Sequence, residues 1–537
     1  MQRLPARLDD GPFDVLVIGG GIYGSWIACR AARAGLRTAL IERGDWAEGT
    51  SSASSKLLHG GLRYLEYFDL GLVRKSLHER KALHERMPHH VRPLRFLLPV
   101  YRGARVGRFK FKLGLWLYDR LAGAQQPVGP HRGLSAEALC REEPALRADG
   151  LTGGFDYGDC WTDDARMILE IVETAQSAGA VAVNYMQAVS LLHADGRVVG
   201  AVAQDLEDGA RREIRATVTV NAAGAWAERI EGVSLATPLA RYTKGVHLVM
   251  PPLQGGKALL LTAPQDGRVF FLIPWYGRTL LGTTDTDFEA DPALAQVEEA
   301  DVAYLLEAAA AYLRPAWTRD DIVGAYCGLR TLRREEGKRA SEVTREWSLE
   351  RPKPGLWMPV GGKYTSARVE AGEIVRAILK EEAGRDPAAS ADDAEPMSWF
   401  PDAPYDTWRA GRIEQGRAAG LDDETAHVAV ERHGCRFDGL LQRLHQAPSL
   451  AQRLVPEAPF CRAEVVVAVE EEMARTLTDI LRRRIPLLIL TRLQRAEVED
   501  AATLAAPLLG WDAARRAAEV DTVLEAKRRQ FTPPVRI

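Results

Sequence analysis

Two apolar runs near the start of the chain flank a glycine-rich turn. Residues 13–18 (FDVLVI) and 38–41 (TALI) are almost wholly apolar, and the segment between them has the alternating apolar spacing of a helix. Strands that are apolar on both faces are typical of a parallel sheet covered by helices on each side. The pattern therefore predicts a strand–helix–strand unit of an α/β fold.

The hydrophobic pattern changes several times after this unit. Residues 71–147 are basic and helical in pattern, and the region from residue 405 to the end is almost wholly helical and poor in glycine. Residues 384–404 are rich in Ala, Asp, Pro and Ser, which indicates a linker. Between these regions, a helix and a strand are predicted to return to the first sheet after GFDYGDC, followed by a meander of short strands over residues 196–226. A hairpin is predicted about Tyr276–Arg278. An alanine-rich helix over residues 298–313 and a strand, turn and helix over residues 356–382 come next.

Length and composition indicate a folded protein of two or three domains. The chain has 537 residues, of which 46% are hydrophobic and 27% charged, and its net charge of −3 gives no global argument for nucleic acid as a partner. Six scattered cysteines without a CxxC pair are typical of a reducing compartment. The N-terminus has no apolar signal segment, and no apolar run reaches the roughly 18 residues of a spanning helix. We therefore expect an intracellular protein that contacts a membrane, if at all, from one side.

The glycine turn has the spacing of a dinucleotide-binding motif. Gly19, Gly21 and Gly24 form GxGxxG between the first strand and the helix, and Glu42 closes the second strand. In such a unit the glycines permit a tight turn, a close approach of the backbone to a pyrophosphate and packing of the helix, and the acid binds a ribose. The motif predicts a bound dinucleotide and leaves NAD and FAD as alternatives.

A segment rich in small hydroxyl residues follows soon after Glu42. It runs TSSASSKLLHGGLRYLE, and a simple NAD-binding unit would instead continue into a helix and strand. Small hydroxyl groups beside a flavin can donate hydrogen bonds without filling the space that the ring system needs. The alternative interpretation is a serine-rich surface loop.

Seven further motifs lie along most of the first 380 residues, namely VIGGGIYG, DYGDCWTDDAR, NAAGAW, KGVHLVMP, FLIPWYGRTLLGTTD, YCGLRTL and GGKYTSAR. Together with the serine-rich segment, and in this order, they resemble the FAD-dependent glycerol-3-phosphate dehydrogenases, members of the D-amino-acid-oxidase-like flavoprotein group. The match is weaker in the C-terminal region, which is similar to the family's helical cap.

The resemblance implies FAD as cofactor and oxidation of sn-glycerol 3-phosphate to dihydroxyacetone phosphate. Electrons would pass to membrane quinone from a cytoplasmic protein bound peripherally to the inner face of the cell membrane. The alternatives are a soluble oxidase that uses oxygen, a related FAD protein with another hydroxy or amino substrate, and a flavin-binding protein without this redox role. A homodimer is left open, and no nucleic acid partner is expected.

The resemblance also implies a Rossmann-like FAD-binding domain interleaved with a mixed-sheet substrate domain, followed by an all-α C-terminal cap. The expected division is FAD-binding parts at residues 1–75, 151–235 and 321–383, substrate-domain parts at 76–150 (helical and basic) and 236–320, a linker at 384–404, and the helical domain at 405–537.

Three cations in shared motifs are the predicted phosphate ligands. They are Arg63, Arg330 and Lys363, and an arginine fork can hold two phosphate oxygens at once. Tyr64 is predicted to bind the substrate through its phenol. Taken singly, each of these residues has an alternative role as a surface charge or a core aromatic.

Two histidines are candidates for the base that takes the hydroxyl proton. They are His59 and His247, because histidine titrates near neutral pH without a large perturbation. Arg330 is counted with them as a catalytic residue. A structural role is the alternative for each histidine, and the spacing of the other histidines predicts no metal site.

Further residues are expected to contact FAD through small side chains or through the start of a helix. GGKYTSAR would direct a helix N-terminus and Lys363 at the reduced flavin, and NAAGAW would let the backbone pass close by. Beyond the glycine turn and Glu42, this set is Thr50, Ser51, Ser52, Ser54, Ser55, Ala223, Gly224, Gly361, Gly362, Lys363, Tyr364 and Thr365.

Three further segments have less specific predictions. Asp163 and Asp164 are expected to cap the following helix, and Arg166 to pair with one of them. Basic and aromatic residues alternate over residues 108–120, which is typical of a helix at a membrane interface, with a core helix as the alternative. Residues 481–495 are a second membrane candidate, for which helix packing is the favoured explanation.

Overall fold

A computed structural model describes residues 1–235, 237–334, 346–386 and 396–530. The strands are β1 Phe13–Ile18, β2 Thr38–Ile41, β3 Leu57–Leu58, β4 Val91–Tyr101, β5 Arg132–Leu134, β6 Leu151–Thr162, β7 Val181–Val183, β8 Met186–Ala194, β9 Arg197–Asp205, β10 Arg211–Asn221, β11 Ala240–Met250, β12 Ala258–Thr262, β13 Val269–Trp275, β14 Arg278–Gly282, β15 Thr286–Phe288, β16 Gly324–Arg333, β17 Trp347–Lys353 and β18 Leu356–Gly361. The α-helices are α1 Ile22–Arg33, α2 Leu70–Arg86, α3 Arg108–Ala122, α4 Ala136–Glu142, α5 Asp164–Ser177, α6 Glu299–Ala310, α7 Ala367–Glu381, α8 Tyr405–Ala418, α9 Asp423–His433, α10 Phe437–Gln446, α11 Ala463–Glu470, α12 Leu477–Asp479, α13 Leu487–Leu490, α14 Arg495–Leu509 and α15 Ala513–Arg529.

The first sheet is built around β1. Parallel neighbours β10 and β2 flank it, β18 and β7 continue the sheet in parallel on either side, and β17 pairs antiparallel with β18. Val15 and Val17 pack into the core formed with α1, α5 and α7, whereas Leu16 and Ile18 face a second core on the other side. This two-sided burial explains why β1 is apolar at consecutive positions.

In the part of the chain that the structure describes, the second sheet has ten strands and is mainly antiparallel. Its order is β15-β11-β14-β13-β12-β4-β6-β3, with β16 paired to β11 and β5 paired to β6. The predicted hairpin is confirmed, because β13 and β14 pair from Phe271 opposite Gly282 to Trp275 opposite Arg278. The fold is therefore the mixed α/β architecture expected from the pattern, with a helical C-terminal region.

Strand β4 was not predicted. The sequence pattern gives a helical and basic segment over residues 71–147, but Val91–Tyr101 pairs along nearly its whole length with β6 and also with β12. Pro93 and two arginines interrupt the apolar alternation at the start of this strand, and the apolar run Phe96–Val100 is too short to distinguish strand from helix by pattern alone.

Two strands of the second sheet lie in the ranges 151–235 and 321–383, which were expected to be parts of the FAD-binding domain. They are β6 and β16, which pair with β4 and β11. The expected domain division stays a prediction, and residues 387–395 of the expected linker lie outside the described residues.

The C-terminal helices share a core with the second sheet. Buried Ile480, Leu488 and Ile489 belong to the same cluster as Ile273 and Trp275 of β13. Residues 477–490 therefore bring the C-terminal region against the sheet, next to the segment that follows Glu42.

Candidate active site

The glycine turn requires glycine for two physical reasons. Gly19 has a φ of +107°, and a Cβ there would lie 2.7 Å from the carbonyl oxygen of Ala222. A Cβ at Gly24 would lie 1.8 Å from the Gly19 carbonyl oxygen. Helix α1 thus begins directly against the end of β1, with Gly21 as its N-cap residue.

A cavity of about 970 Å³ opens beside this turn. Every residue predicted to contact the cofactor lies on its wall except Gly24, which packs behind it. Arg43 stacks its guanidinium 5.3 Å from the ring centre of Trp226 at this cavity. The wall combines glycine backbone, small hydroxyl side chains and the start of a helix, which fits a long ligand with a pyrophosphate at its middle.

Glu42 is held by backbone amides on the cavity wall. Its carboxylate accepts hydrogen bonds from Gly20 N at 2.6 Å and Gly44 N at 2.9 Å. Burial raises the pKa of Glu42, and these two hydrogen bonds act in the opposite direction. The role of Glu42 as a ribose ligand stays a prediction.

The hydroxyl groups of the serine-rich segment have defined partners. Ser51 Oγ accepts from Ile22 N at 2.9 Å, and Thr50 Oγ1 donates to Leu329 O at 2.5 Å. The segment therefore joins the start of α1 to β16, so the surface-loop interpretation is wrong.

A buried ion pair that the sequence analysis missed fixes the middle of this segment. Lys56 Nζ lies 2.5 Å from Asp164 Oδ1 and donates to Ser52 O at 2.6 Å. Asp164 Oδ2 accepts from the Ser54 hydroxyl at 2.6 Å. The pKa of Lys56 is lowered, because the effect of burial outweighs the opposing effect of Asp164. The pair therefore fixes the position of residues 52–56, which lie between the cofactor cavity and His59.

The predicted roles of the neighbouring acids are corrected in part. Asp163 does cap α5, since its side chain accepts from Arg166 N at 3.3 Å. Asp164 instead serves the Lys56 pair, and the Arg166 side chain pairs with Glu472 at 2.6 Å rather than with either aspartate. The sequence could not indicate a partner 306 residues away.

A second cavity, of about 490 Å³, meets the first. Largely apolar residues of α3, β4, β12 and β13 line it, together with Arg63, Arg268 and Asp285. The residues that line both cavities are Ser55, Leu57, His59, Tyr64 and Arg330. This shared wall is the place where a substrate can contact both a bound cofactor and the predicted catalytic residues.

Arg330 is oriented by the loop after β14. Its guanidinium donates to Thr283 Oγ1 at 3.0 Å, to Thr284 O at 3.2 Å and to Asp285 Oδ1 at 3.1 Å. These contacts fix the fork at the cavity junction. Thr283 and Asp285 were not predicted, although the motif GTTD that contains them was among those quoted.

Arg63 and Lys363 converge on Tyr64. Lys363 Nζ lies 4.0 Å from the centre of the Tyr64 ring, and the Arg63 guanidinium carbon lies 5.3 Å from it. Lys363 also donates to Ser76 Oγ at 3.4 Å. The chain bends sharply just before Arg63 and Tyr64, where Gly61 has a φ of +83°. Two predicted phosphate ligands from distant segments are thus brought together.

The field of these cations acts on His59. Burial lowers the pKa of His59 to about 3, and Lys363, Arg63 and Arg80 contribute in the same direction. The imidazole is therefore neutral near pH 7, and in the field of these cations it is a weak base. Its edge contacts Phe271, with ring centres 6.4 Å apart.

His247 lies behind the shared wall and is not among the residues that line either cavity. It is 2% exposed, its ring stacks on Tyr326 at 4.9 Å, and its Nε2 lies 2.9 Å from Ser55 Oγ. Burial lowers its pKa to about 3, with Arg330 and Lys56 acting in the same direction. Its contact with the site runs through the Ser55 hydroxyl.

The predicted interfacial helix has an exposed apolar face. On α3, Phe109, Leu113 and Trp116 are 83%, 57% and 51% exposed, and Phe68 beside it is 86% exposed. We call these four residues the α3 patch. Lys110, next to Phe109, lies 3.4 Å from Glu66. Leu113, Lys110 and Phe68 also line the second cavity, so the patch borders its wall.

The second membrane candidate is a packing segment. Leu481, Ile485 and residues 487–490 are buried against the second sheet. Within the described part of the chain, no helix has the length and apolarity needed to cross a membrane.

One group of described residues has the spacing of metal ligands, outside the two cavities. His89, His90 and Glu170 are buried, with His89 Nε2 2.9 Å from Glu170 Oε2. Burial lowers the pKa of His90 well below its usual value, and His89 and three arginines act in the same direction, namely Arg166, Arg432 and Arg92. The positive field of these arginines opposes a bound cation.

The chain belongs to the family of FAD-dependent oxidoreductases, whose model matches residues 14–364. A second model, described as the C-terminal domain of alpha-glycerophosphate oxidase, matches residues 403–516. FAD is accordingly the cofactor of this protein, which resolves the NAD or FAD alternative left by the glycine motif.

The relatives sharpen this assignment. The chain is 37% identical to glycerol-3-phosphate dehydrogenase of Mycobacterium leprae over 533 residues, covering 95% of this chain and 88% of the relative. It is 34% identical to aerobic glycerol-3-phosphate dehydrogenase of Staphylococcus haemolyticus over 498 residues, covering 90% and 88%. The resemblance found in the sequence motifs is confirmed.

Solved structures agree on the fold. The glycerol-3-phosphate dehydrogenase of Bacillus halodurans complexed with FAD is similar with a TM-score of 0.80 and 27% identity, covering 99% of this chain and 98% of that one. An L-alpha-glycerophosphate oxidase of Mycoplasma pneumoniae has a TM-score of 0.54 at 16% identity, covering 68% of this chain and 94% of that one, and shows the fold alone.

Proposed function

We propose that the protein oxidises sn-glycerol 3-phosphate to dihydroxyacetone phosphate with FAD and passes the electrons to membrane quinone. The observation that supports this most directly is the convergence of Arg63 and Lys363 on Tyr64 beside His59, with Arg330 on the same wall between the two cavities. The names of the relatives support the same substrate.

The three cations suit a phosphate dianion. Charge-assisted hydrogen bonds from arginine and lysine to phosphate are short and strong, and the fork of Arg330 is already oriented by Thr283 and Asp285. A substrate held by these groups would lie beside His59 at the wall that the two cavities share. Tyr64, with Lys363 4.0 Å from the centre of its ring, is part of the same wall.

His59 takes the hydroxyl proton. The neutral imidazole can accept it, and the charge of a bound phosphate offsets the field of Lys363 and Arg63, which raises the basicity of His59 when substrate is present. When bound, FAD supplies the acceptor for the hydride that leaves carbon 2. The contact between Ser55 and His247 is a second route for the proton, so His247 remains the alternative base.

The acceptor is proposed to be a quinone in a membrane surface. The second cavity is largely apolar, it shares His59 and Arg330 with the cofactor cavity, and the α3 patch borders it. An exposed apolar face with basic neighbours is typical of a peripheral helix at a lipid interface. The competing proposal is oxygen as acceptor, which would need neither the patch nor the apolar cavity.

The substrate is tested by anaerobic reduction of the purified holoenzyme. Glycerol 3-phosphate is expected to bleach the visible flavin band, whereas glycerol at the same concentration leaves it unchanged because it lacks the phosphate. Absence of bleaching by glycerol 3-phosphate would refute the proposal. Reoxidation of the reduced enzyme by a quinone analogue but not by oxygen supports the quinone, and the reverse result supports the oxidase.

The membrane contact is tested with the double variant Phe109→Glu/Leu113→Glu. It is expected to lose flotation with lipid vesicles and activity with a lipid-embedded quinone, while activity with a water-soluble dye is kept. Leu294→Glu is the matched control, since Leu294 is 65% exposed and lies outside the α3 patch. Equal flotation of the double variant and the control would contradict the proposed contact.

A further inference from the structure

The C-terminal region contributes a cluster of arginines to the loop that follows Glu42. Residues Ile480–Arg484 form a π-helical turn directly after α12. Arg483 Nε lies 2.6 Å from Asp45 Oδ2, and Arg484 lies 2.6 Å from Asp45 Oδ2 and 2.8 Å from Oδ1. Asp45 is 0% exposed and Arg484 is 1% exposed, so this triad is shielded from water.

Arg482, the remaining arginine of the turn, lines the cofactor cavity, as Arg483 also does. Arg482 donates to Ser52 O at 3.2 Å, and its guanidinium carbon lies 5.4 Å from the centre of the Tyr326 ring. Arg482 lines the same cavity wall as the serine-rich segment. Within the described residues, no carboxylate lies within ion-pair distance of this guanidinium, although Asp164 acts on it from further away.

A further contact attaches the same loop to the C-terminal region, since Trp46 Nε1 lies 3.4 Å from the Met473 sulfur. The turn itself is held by Asp479, which pairs with Arg483 at 2.6 Å and accepts from the Tyr185 hydroxyl at 2.8 Å. Burial opposes ionisation of Asp45, but Arg484 and Arg483 outweigh it and lower the pKa of this carboxyl. The loop from Asp45 to Lys56 is thus attached at its start through Asp45 and at its middle through Ser52.

We propose that the C-terminal helical region is a working part of the FAD site, in which Arg482, Arg483 and Arg484 position the loop Asp45–Lys56 around the cofactor. The loop contacts both the turn and the cavity, so binding of FAD and docking of the turn stabilise each other. Arg482 also adds a positive charge to the wall of a cavity whose ligand carries two phosphate charges. The arginines are positioning residues and take no part in proton or hydride transfer.

The test measures FAD release from holoenzyme variants. Arg482→Gln removes the charge but keeps much of the side chain's length, and Arg484→Lys keeps the charge but cannot bind both Asp45 oxygens as a fork. After dilution, the fluorescence of released FAD is expected to rise at least tenfold faster in both variants. Arg453→Gln is the control, because Arg453 lies in the same region but pairs with Asp422 at 2.6 Å, away from the loop.

A second measurement separates positioning of the cofactor loop from general stability. Excess FAD is expected to raise the melting temperature of the wild type, because it binds the folded state, and to raise that of Arg482→Gln by less. Equal melting losses with and without FAD, or release at the wild-type rate in Arg482→Gln, would overturn the proposal. If Arg484→Lys fails to fold, Arg482→Gln still decides the question, since apart from the charge it removes one bond to a carbonyl oxygen and one ring contact.

Discussion

Replacement of Arg330 by glutamine tests the phosphate site most directly. The guanidinium is fixed by Thr283 Oγ1, Thr284 O and Asp285 Oδ1, at 3.0 to 3.2 Å, with its fork at the junction of the cavities. Glutamine removes the charge and shortens the reach, so a bond to a phosphate oxygen is lost. We expect a lower kcat/KM for glycerol 3-phosphate, with FAD retained.

The magnitude follows from the number and kind of bonds removed. A hydrogen bond to a charged group contributes about 1.5 to 3 kcal/mol. At about 1.4 kcal/mol for each factor of ten, the loss corresponds to a fall in kcat/KM of about 10- to 150-fold. Thr283 and Asp285 also lose a hydrogen bond each, which lowers the free energy of unfolding by about 1 to 3 kcal/mol. Arg330→Lys keeps the charge but lacks the fork, so its kcat/KM is expected to lie between those of the wild type and Arg330→Gln.

The assay follows steady-state dye reduction as a function of glycerol 3-phosphate, together with the inhibition constant of inorganic phosphate. In Arg330→Gln, kcat/KM should fall and the inhibition constant of phosphate should rise by a similar factor, because the substrate and the inhibitor bind the same cation. Arg241→Gln is the control, since Arg241 lies on β11 and its pair with Asp287 at 2.6 Å is partly exposed to solvent. A kcat/KM within threefold of the wild type, with unchanged phosphate inhibition, would refute the assignment of Arg330 to the phosphate site.

Three further outcomes are expected. His59→Gln should lower kcat by about 10²- to 10⁴-fold, the range for a positioned base, and a fall below tenfold in stopped-flow reduction would favour His247 instead. Gly24→Ala should purify without flavin, because its Cβ would lie 1.8 Å from the Gly19 carbonyl oxygen, and a yellow protein with normal FAD content would contradict this. Burial lowers the pKa of Lys527 to about 7 from a usual 10.5, so between those values the unfolded chain binds a proton that the folded chain lacks. Stability should therefore rise with pH above 7, by at most about 1.4 kcal/mol per pH unit, and urea unfolding of Lys527→Met should lose this rise.

Local signals in the sequence were sufficient for the cofactor unit. The two apolar runs predict β1 and β2, and the glycines between them predict the turn before α1. A side chain at Gly19 or Gly24 would clash with neighbouring backbone atoms. The cations of the site were found through motifs rather than through spacing, since Arg63 and Lys363 are 300 positions apart along the chain. Their convergence on Tyr64 follows only from the tertiary fold.

The features that the sequence did not predict depend on contacts between distant segments. In the sequence, Lys56 cannot be distinguished from an exposed lysine. In the fold, the start of α5 places Asp164 Oδ1 2.5 Å from Lys56 Nζ. The arginines of residues 482–484 resemble a solvated basic run, but Asp45, more than 430 positions earlier, makes two of them buried partners. Strand β4 was missed because Pro93 and its arginines break the alternation that identifies a half-buried strand.

The shared wall of the two cavities has a consequence for the order of the reaction. Ser55, Leu57, His59, Tyr64 and Arg330 border both the cofactor space and the apolar space. If the alcohol and the quinone both reach FAD at this shared wall, they occupy the same space and cannot be bound at the same time. Turnover would then alternate between two half-reactions, with product leaving before the acceptor enters. Double-reciprocal plots with both reactants varied would give parallel lines, and dihydroxyacetone phosphate would compete with the quinone.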